Sequence, residues 1–495
     1  MTKTLRVMLW DEEIGRLAWD DRRRLSYFTY NPEFLKKGLD VSPLVAPIKG
    51  VRAMAPVWGE EAKIYQKLPA FVADSLPDAW GNLLFDLWRQ HNHLSNADIT
   101  PLDKLSFIGK RGMGALEFLP ETSNADKMEK IDIKSLACLA ERIFSEREHA
   151  RIMPQEDITL QSLLTVGTSA GGRQPKAIIA IHKDTGEIRS GQVAGLKDYE
   201  YYLLKFGNSQ YSSAELEMVY YEMAITAGIQ MMPSRLYEVE GSNNFITKRF
   251  DRDGERKLHT QTLAAISPDT DSYEGLISVC RKLHLPESDC QEVFRRMVFN
   301  ILSNNTDDHT KNFSFIMHES GNWRLAPAYD LTYIIDAGGY LPNTGRCMYV
   351  RAKLHQISIE DVILFAKDNG IRRPDAIIQS VAQALKQFRS LAQKYNVQER
   401  WINTIEQTIF EHLTSWGLAE TRKPLFNFRI EGTTFSDVRL EQTYKGNFHL
   451  YATVNGKERK FVINKNKPEH EQIQTVGIAG LSETFVKELA SKYLL

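Results

Sequence analysis

Three polar side chains, Asp307, Asn312 and Asp330, stand inside the otherwise apolar stretch MVFNILSNNTDDHTKNFSFIMHESGNWRLAPAYDLTYII, residues 297–335. An aspartate, an asparagine five residues later and a second aspartate beyond a turn form the set that phosphoryl transfer from ATP requires. The first carboxylate orients the attacking hydroxyl, while the asparagine and the second carboxylate hold magnesium on the nucleotide phosphates. Asp307 and Asp308 compete for the role of base. Only Asp307 has the five-residue spacing to Asn312 of a kinase catalytic loop, so the base is assigned to it. A lone D-x-x-x-x-N usually decorates a surface turn, so the reading depends on what the rest of the chain supplies.

The elements that must position these groups are visible in the pattern. Val293, Met297, Val298 and Ile301 recur at helical spacing, which predicts a buried helix ending where SNNTDDH begins. FSFIM and WRLA alternate around ESGN, which predicts a hairpin bringing Asn312 and Asp330 together. Upstream, Gly167, Gly171 and Gly172 surround Ser169, and Lys176 opens the strand-like KAIIAI. Glycines permit positive φ and close approach, so such a loop can turn backbone N–H groups toward phosphates; glycine-rich β-turns look the same. Lys205 lies in the alternating EYYLLKFG, and a lysine within a strand must reach solvent or meet an anion. The following helix, SSAELEMVYYEMAITAG, puts Glu217 on the side of Tyr220, Tyr221 and Ala224. A strand lysine followed by a helix glutamate is the ion pair that positions ATP phosphates in protein kinases. SRLYEVEGSNNFITKRFDRDGER reads as two strands around GSNN, giving a wall and hinge for adenine, with Phe250 either an adenine contact or a core residue.

Composition narrows the class. The 495 residues carry 62 basic and 63 acidic side chains, a net charge of -1, so no excess of positive charge advertises nucleic acid or an anionic membrane. Four scattered cysteines without a C-x-x-C argue against a disulfide framework or a zinc site and fit a reducing cytoplasm. No apolar run resembles a signal peptide or a membrane span. LRVMLW, EIGRLAW and RLSYFTY predict a β meander, and Trp80, Leu83, Leu84, Leu87 and Trp88 predict a packing helix after Pro77 and Asp78. Pro-Leu-Asp at 101–103 reads as a turn, the glycines at 109, 112 and 114 as structural, and Glu121 to Asp132 as a linker. Past the hairpin, two periodic stretches predict a helical lobe. From about Pro424, strand-like runs and the helix-like SETFVKELASKYL suggest an appended module without catalytic residues. The expected division is 1–120 (β meander plus helix), 121–255 (upper lobe with the Gly-rich loop and hinge), 256–423 (helical lobe with the catalytic loop) and 424–495.

The blocks FVADSLPDAWG, IGKRGMGALEF, TSAGGRQPK, YYLLKF, KRFDRD, NTDDHTKNFSF and LAPAYDLT resemble, in order, those of the HipA family of serine/threonine kinase toxins, over about residues 5 to 415. The resemblance implies an α+β, bilobal protein-kinase-like fold with an N-terminal β subdomain and a helical C-lobe, here followed by an α+β module. It implies ATP and Mg2+ as cofactors, Lys205 as the phosphate-binding lysine, Asp307 as base, and Asn312 and Asp330 as magnesium ligands. Ser169 falls on the serine whose autophosphorylation silences family members. Ser169, Gly171, Gly172, Lys176, Glu217, Lys248, Phe250, His309 and Lys311 join Lys205 as the expected ATP-binding set. Lys248 stands where the family commonly has an acidic hinge residue. The family's usual partner is a HipB-like helix-turn-helix antitoxin bound to operator DNA, and its known substrates include aminoacyl-tRNA synthetases, notably the glutamyl enzyme. Two other readings stand beside this one: a catalytically quiet co-repressor subunit on a DNA-binding partner, and a small-molecule kinase of similar fold.

Overall fold

The computed structural model describes residues 2–49, 65–91, 95, 99–122, 131–146, 157–167, 174–192, 195–335 and 345–419, followed by 426–430, 433–442, 448–454, 457–463 and 473–475. The chain divides into two compact units, Met1–Trp416 and Gly417–Leu495.

The first unit opens with the expected meander. Strands β1 (Thr4–Leu9), β2 (Glu12–Asp20) and β3 (Leu25–Tyr30) pair antiparallel, and β4 (Leu116–Leu119) returns to the free edge of β1. Leu5, Val7 and Leu9 alternate inward, as a half-buried strand dictates, onto a core containing Phe28 and Phe71. Helix α1 (Ala79–His91) buries Trp80, Leu84, Phe85 and Leu87. The Pro-Leu-Asp run at 101–103 corrects the turn expected there, because it forms the first turn of helix α2 (Pro101–Ile108). Thr100 and Asp103 cap one another reciprocally, and Pro101 sits where a missing N–H costs nothing. The glycines behave as structural elements, Gly114 donating its N–H to Asp251 at 2.7 Å.

A five-stranded antiparallel sheet follows. Its members are β5 (Lys176–His182), β6 (Ile188–Ser190), β7 (Tyr199–Lys205), β8 (Ser234–Val239) and β9 (Ser242–Lys248), in the order β6-β5-β7-β9-β8. One face packs on α1 and on the helices Ile133–Glu146 and Asp157–Gly167. Toward the other, helix α3 (Ser213–Thr226) sets Ala214 and Met218 against Phe245. The β8–β9 turn is Glu240-Gly241, both at positive φ, with Val239 opposite Ser242. It lies one step before the expected GSNN turn: two left-handed residues close the tightest hairpin, which leaves Ser242 and Asn244 to the strand. Of the expected linker, residues 123–130 lie outside the described residues.

Below the sheet, helix α4 (Tyr273–Lys282) precedes the buried α5 (Glu287–Leu302), which ends at Ser303 where SNNTDDH begins. The expected hairpin forms from β10 (Ser314–Met317) and β11 (Trp323–Leu325), with strand His259–Thr262 on its outer edge. Four helices complete this lobe, among them Pro374–Leu385 and Glu399–Ser415. The second unit carries a five-stranded antiparallel meander from Phe426 to Thr475. The helix expected over SETFVKELASKYL lies outside the described residues. Among the described residues, no helix is long and apolar enough to cross a membrane.

Buried charges tie the first meander to the following sheet. Asp251 accepts hydrogen bonds from Arg249 and Arg252; burial opposes its charge, yet the two guanidiniums hold its carboxyl well below the ordinary range. Lys257 bonds Glu117 of β4 at 2.7 Å. Burial, aided by the nearby Arg252, outweighs Glu117 and lowers its pKa from 10.5 to about 8. Between those values the unfolded chain keeps a proton that the folded chain has released, so this group's contribution to stability rises with pH across that window. The unfolding free energy of the wild type relative to Lys257→Met, measured in urea, is expected to increase from pH about 8 to pH about 10. A flat or falling difference would contradict it.

Candidate active site

Strand register places the first charges. Lys176 on β5 lies opposite Lys205 on β7, Lys205 lies opposite Phe245 on β9, and Leu203 lies opposite Thr247. Directly paired residues, and residues two apart on a strand, share a face, so these five point the same way. Glu217 descends on them from α3, its carboxylate 2.5 Å from the Lys205 ammonium. Asp330, just beyond β11, also pairs with Lys205. Its φ of 53° is left-handed, a bend that aspartate tolerates better than most residues.

Lys176, Lys205 and Glu217 are almost fully buried, the Asp330 side chain is 31% exposed, and the charges decide one another. Burial works against an ionised Lys205, but Asp330 and Glu217 override it and raise the ammonium's pKa. Burial likewise opposes an ionised Asp330, yet Lys205 and Lys176 bring its pKa down to about 2. Glu217 goes the other way, because burial exceeds the pull of Lys205 and raises its carboxyl. Lys176 is lowered by burial and by Lys205, against the pull of Asp330. With Met231, Tyr329 and Leu331, the side chains of Lys205, Glu217 and Asp330 line a tight cleft of about 20 Å³. A larger hollow of about 410 Å³, beside Arg295 and Arg373, contains none of the candidate residues.

The loop after α5 separates its two aspartates by environment. Asp308 is 1% exposed and accepts hydrogen bonds from the Tyr273 hydroxyl at 2.7 Å and from the N–H groups of Cys347 and Met348 at 2.9 and 3.3 Å. Arg346 stands 3.8 Å away. The Asp307 side chain is 40% exposed, with the His309 imidazole at 3.8 Å and the Cys347 thiol at the same distance. Burial and Asp307 push that thiol's pKa up to about 12. Asn312 donates its side-chain N–H to the Asp307 carbonyl at 2.8 Å. Lys311 pairs with Asp78, and its carbonyl accepts from the Tyr329 hydroxyl at 2.7 Å. That hydroxyl also bonds Ser314 at 2.5 Å, which joins the two arms of the hairpin beside Asn312 and Asp330.

The structure thus gathers Lys176, Lys205, Glu217 and Asp330 in one cluster, and Asp307, His309 and Asn312 on one loop. His309 bears on both, since it also acts on the Asp330 carboxylate. Phe250 stacks on Tyr329 at 5.5 Å rather than lining the cleft. Lys248 places its ammonium on Glu200 at 2.7 Å, at the sheet surface. Ser169, Gly171 and Gly172 lie outside the described residues. Sequence reasoning missed the apolar wall of Leu203, Met231, Phe245 and Thr247, although the alternation around Lys205 contained the signal for Leu203. It also missed Asp78, Tyr329, Arg346 and Cys347, for which no local pattern exists. Among the described residues, no three or more His, Cys, Asp or Glu side chains gather into a metal cage.

Residues 5–119 match the family model of the HipA N-terminal domain and residues 168–407 that of the HipA-like C-terminal domain. The chain belongs to the HipA family. A Haemophilus influenzae protein named "Putative kinase" is 27% identical over 203 residues, 36% of this chain and 57% of that one. A Sinorhizobium fredii protein of similar name is 25% identical over 222 residues, 43% of this chain and 52% of that one. The chain spans about half the length of these relatives. HipA in the Shewanella oneidensis toxin–antitoxin complex of HipA, HipB and operator DNA superposes with a TM-score of 0.59 at 16% identity, covering 83% of this chain and 97% of that one. That likeness establishes the HipA fold, a kinase-like bilobal arrangement.

The two loop aspartates differ in what their removal should cost. Asp308→Ala leaves a tyrosine hydroxyl, two N–H groups and an arginine unpaired in the interior and is expected to destabilise the fold by about 3–5 kcal/mol. Asp307→Ala removes a half-exposed group and should stay within about 1 kcal/mol. Urea unfolding of both variants distinguishes them; the opposite order would exchange strut and base.

Proposed function

We propose that the chain is an ATP- and Mg2+-dependent protein serine/threonine kinase of the HipA toxin type, acting in the cytoplasm. The observation that carries this reading is the Lys205–Glu217–Asp330 cluster together with Asp307, the accessible member of the aspartate pair on the neighbouring loop.

The donor chemistry fits magnesium. Asn312 and Asp330 offer hard oxygens, Asp330 stays ionised throughout the physiological range, and magnesium that arrives with phosphates needs only one or two protein carboxylates. When bound, magnesium neutralises charge on the nucleotide phosphates. The remaining work falls to the chain. Lys205, kept charged by Glu217, gives an anionic phosphate a fixed cation, and the apolar wall of Leu203, Met231, Phe245 and Thr247 offers a base-sized surface. Asp307 accepts the proton of the attacking serine or threonine hydroxyl, with its loop held by Asn312.

The family reading adds a target of the aminoacyl-tRNA synthetase class, silencing by autophosphorylation at Ser169, and a HipB-like antitoxin that supplies the DNA contacts. The HipA–HipB–operator complex to which this chain is similar supports such a partner. The near-zero net charge gives no reason for the chain to bind DNA by itself.

Two experiments test the reading. With γ-labelled ATP and magnesium, the purified protein should label itself or a protein in a cell lysate. Asp307→Ala should lower that rate by about 10²- to 10⁴-fold while remaining folded, and full turnover in the variant would remove Asp307 as base. In gel-shift assays the chain should bind operator-like DNA only together with a helix-turn-helix partner. Tight, sequence-specific binding by the chain alone would sink the partner model.

A further inference from the structure

Residues 5–119 match a separate N-terminal family model, yet one of their turns enters the candidate active site. Asp78, just before α1, pairs its carboxylate with the Lys311 ammonium and also acts electrostatically on Lys176. Two residues later, the Trp80 indole donates to the carbonyl of that same Lys176 at 3.1 Å. Four residues earlier, Asp74 accepts from the hydroxyl and the N–H of Thr262 at 2.7 and 2.8 Å. A single short segment therefore grips β5 of the upper sheet, the end of the strand His259–Thr262, and the loop between Asp307 and Asn312.

At Lys311 the grip is complete. Its carbonyl is bonded by Tyr329, the neighbour of Asp330, and the adjacent Asn312 donates to the Asp307 carbonyl. With the ammonium on Asp78, both the backbone and the side chain of this residue are tied. The pair is partly shielded, with Lys311 38% and Asp78 24% exposed, so salt screens it somewhat less than a fully exposed pair. An elongated, flexible lysine loses little by swinging into solvent unless an anion holds it. Here the anion belongs to the N-terminal domain.

We infer that Asp78 is a positioning residue of the active site: through Lys311 it holds the Asp307–Asn312 loop in place across the cleft from Lys176 and Lys205. Its consequence for turnover rests on the kinase reading above; its consequence for the loop does not. The N-terminal domain is then a working part of the phosphotransfer site.

The test uses the full chain in five forms: wild type, Asp78→Asn, Asp78→Glu, Lys311→Met and the double variant Asp78→Asn/Lys311→Met. Incorporation of γ-phosphate from ATP into the protein itself gives kcat and the KM for ATP. Asp78→Asn is expected to lower kcat by about 10- to 100-fold, with KM for ATP changing by less than about threefold. Asp78→Glu should recover most of the rate. The double variant should be no slower than the slower single one, because both remove the same link. Multiplicative losses, or a wild-type rate in Asp78→Asn, would overturn the proposal. Amide hydrogen exchange supplies a readout independent of activity. Residues 304–313 should exchange about tenfold faster in Asp78→Asn, with the core strand β7 unchanged as a check on folding. Unchanged exchange in the loop refutes the positioning role even if the kinase reading stands. A wild type that transfers no phosphate, alongside a loosened loop in the variant, refutes the kinase reading and leaves the positioning role intact.

Discussion

A charged lysine buried between two carboxylates is the constraint around which the first unit is built. Taking each ion out of water costs several kcal/mol, and only close, well-oriented partners return it. Lys205 obtains those partners from two directions: Glu217 from a helix laid across the sheet, and Asp330 from the chain leaving the hairpin. Neither partner can shift independently. Helix α3 is fixed because Met218 and Ala214 pack on Phe245, the residue opposite Lys205 in the sheet. The Asp330 segment is fixed because Tyr329 is bonded to both Ser314 and Lys311. The apolar packing of the two lobes and the ionic cluster between them are thus one problem with one solution.

Burial also explains why adjacent, chemically identical side chains take different roles. Asp308 turns inward and organises the tyrosine, arginine and backbone groups of the segment 346–348, which also hands Arg346 to the carbonyls of Asn300 and Asn305. Asp307, one residue earlier, is left with its carboxylate accessible and its carbonyl tied. The role of base proposed for Asp307 calls for freedom of access with fixed position. The neighbouring strut provides the second without taking away the first.

Much of this could be read in the sequence because it is periodic or locally spaced. The helix before SNNTDDH, the hairpin around ESGN, the strand carrying Lys205 and the helix carrying Glu217 follow from alternation and helical recurrence, and the order of the charged residues follows from their spacing. The misread turns were also local. At 101–103 a reciprocal cap from Thr100 and Asp103 made Pro101 the start of a helix instead of a turn, and at 240–241 two left-handed residues moved the turn one step earlier. What no pattern revealed depends on contacts between distant parts of the chain. Lys311 finds Asp78 across 233 positions, and Asp308 finds the backbone of Cys347 and Met348 across 39 and 40. A side chain whose partner is set only by the tertiary fold leaves no periodicity behind.

The same distinction bears on what a domain is in this protein. By sequence kinship, residues 5–119 and 168–407 are separate modules. By packing, Met1–Trp416 is one unit. The buried Asp251 shows why the second description governs the mechanics: its carboxylate joins Arg249 and Arg252 to the N–H of Gly114, so the end of the N-terminal module and the segment leaving the five-stranded sheet share one desolvated charge. Lys257 repeats the arrangement with Glu117 on β4. Both ion pairs are desolvated and hydrogen-bonded, so removing one partner while the modules stay together would leave its counterpart buried and uncompensated. An N-terminal module fastened in this way belongs to the same charged framework that holds Lys176 and Lys311.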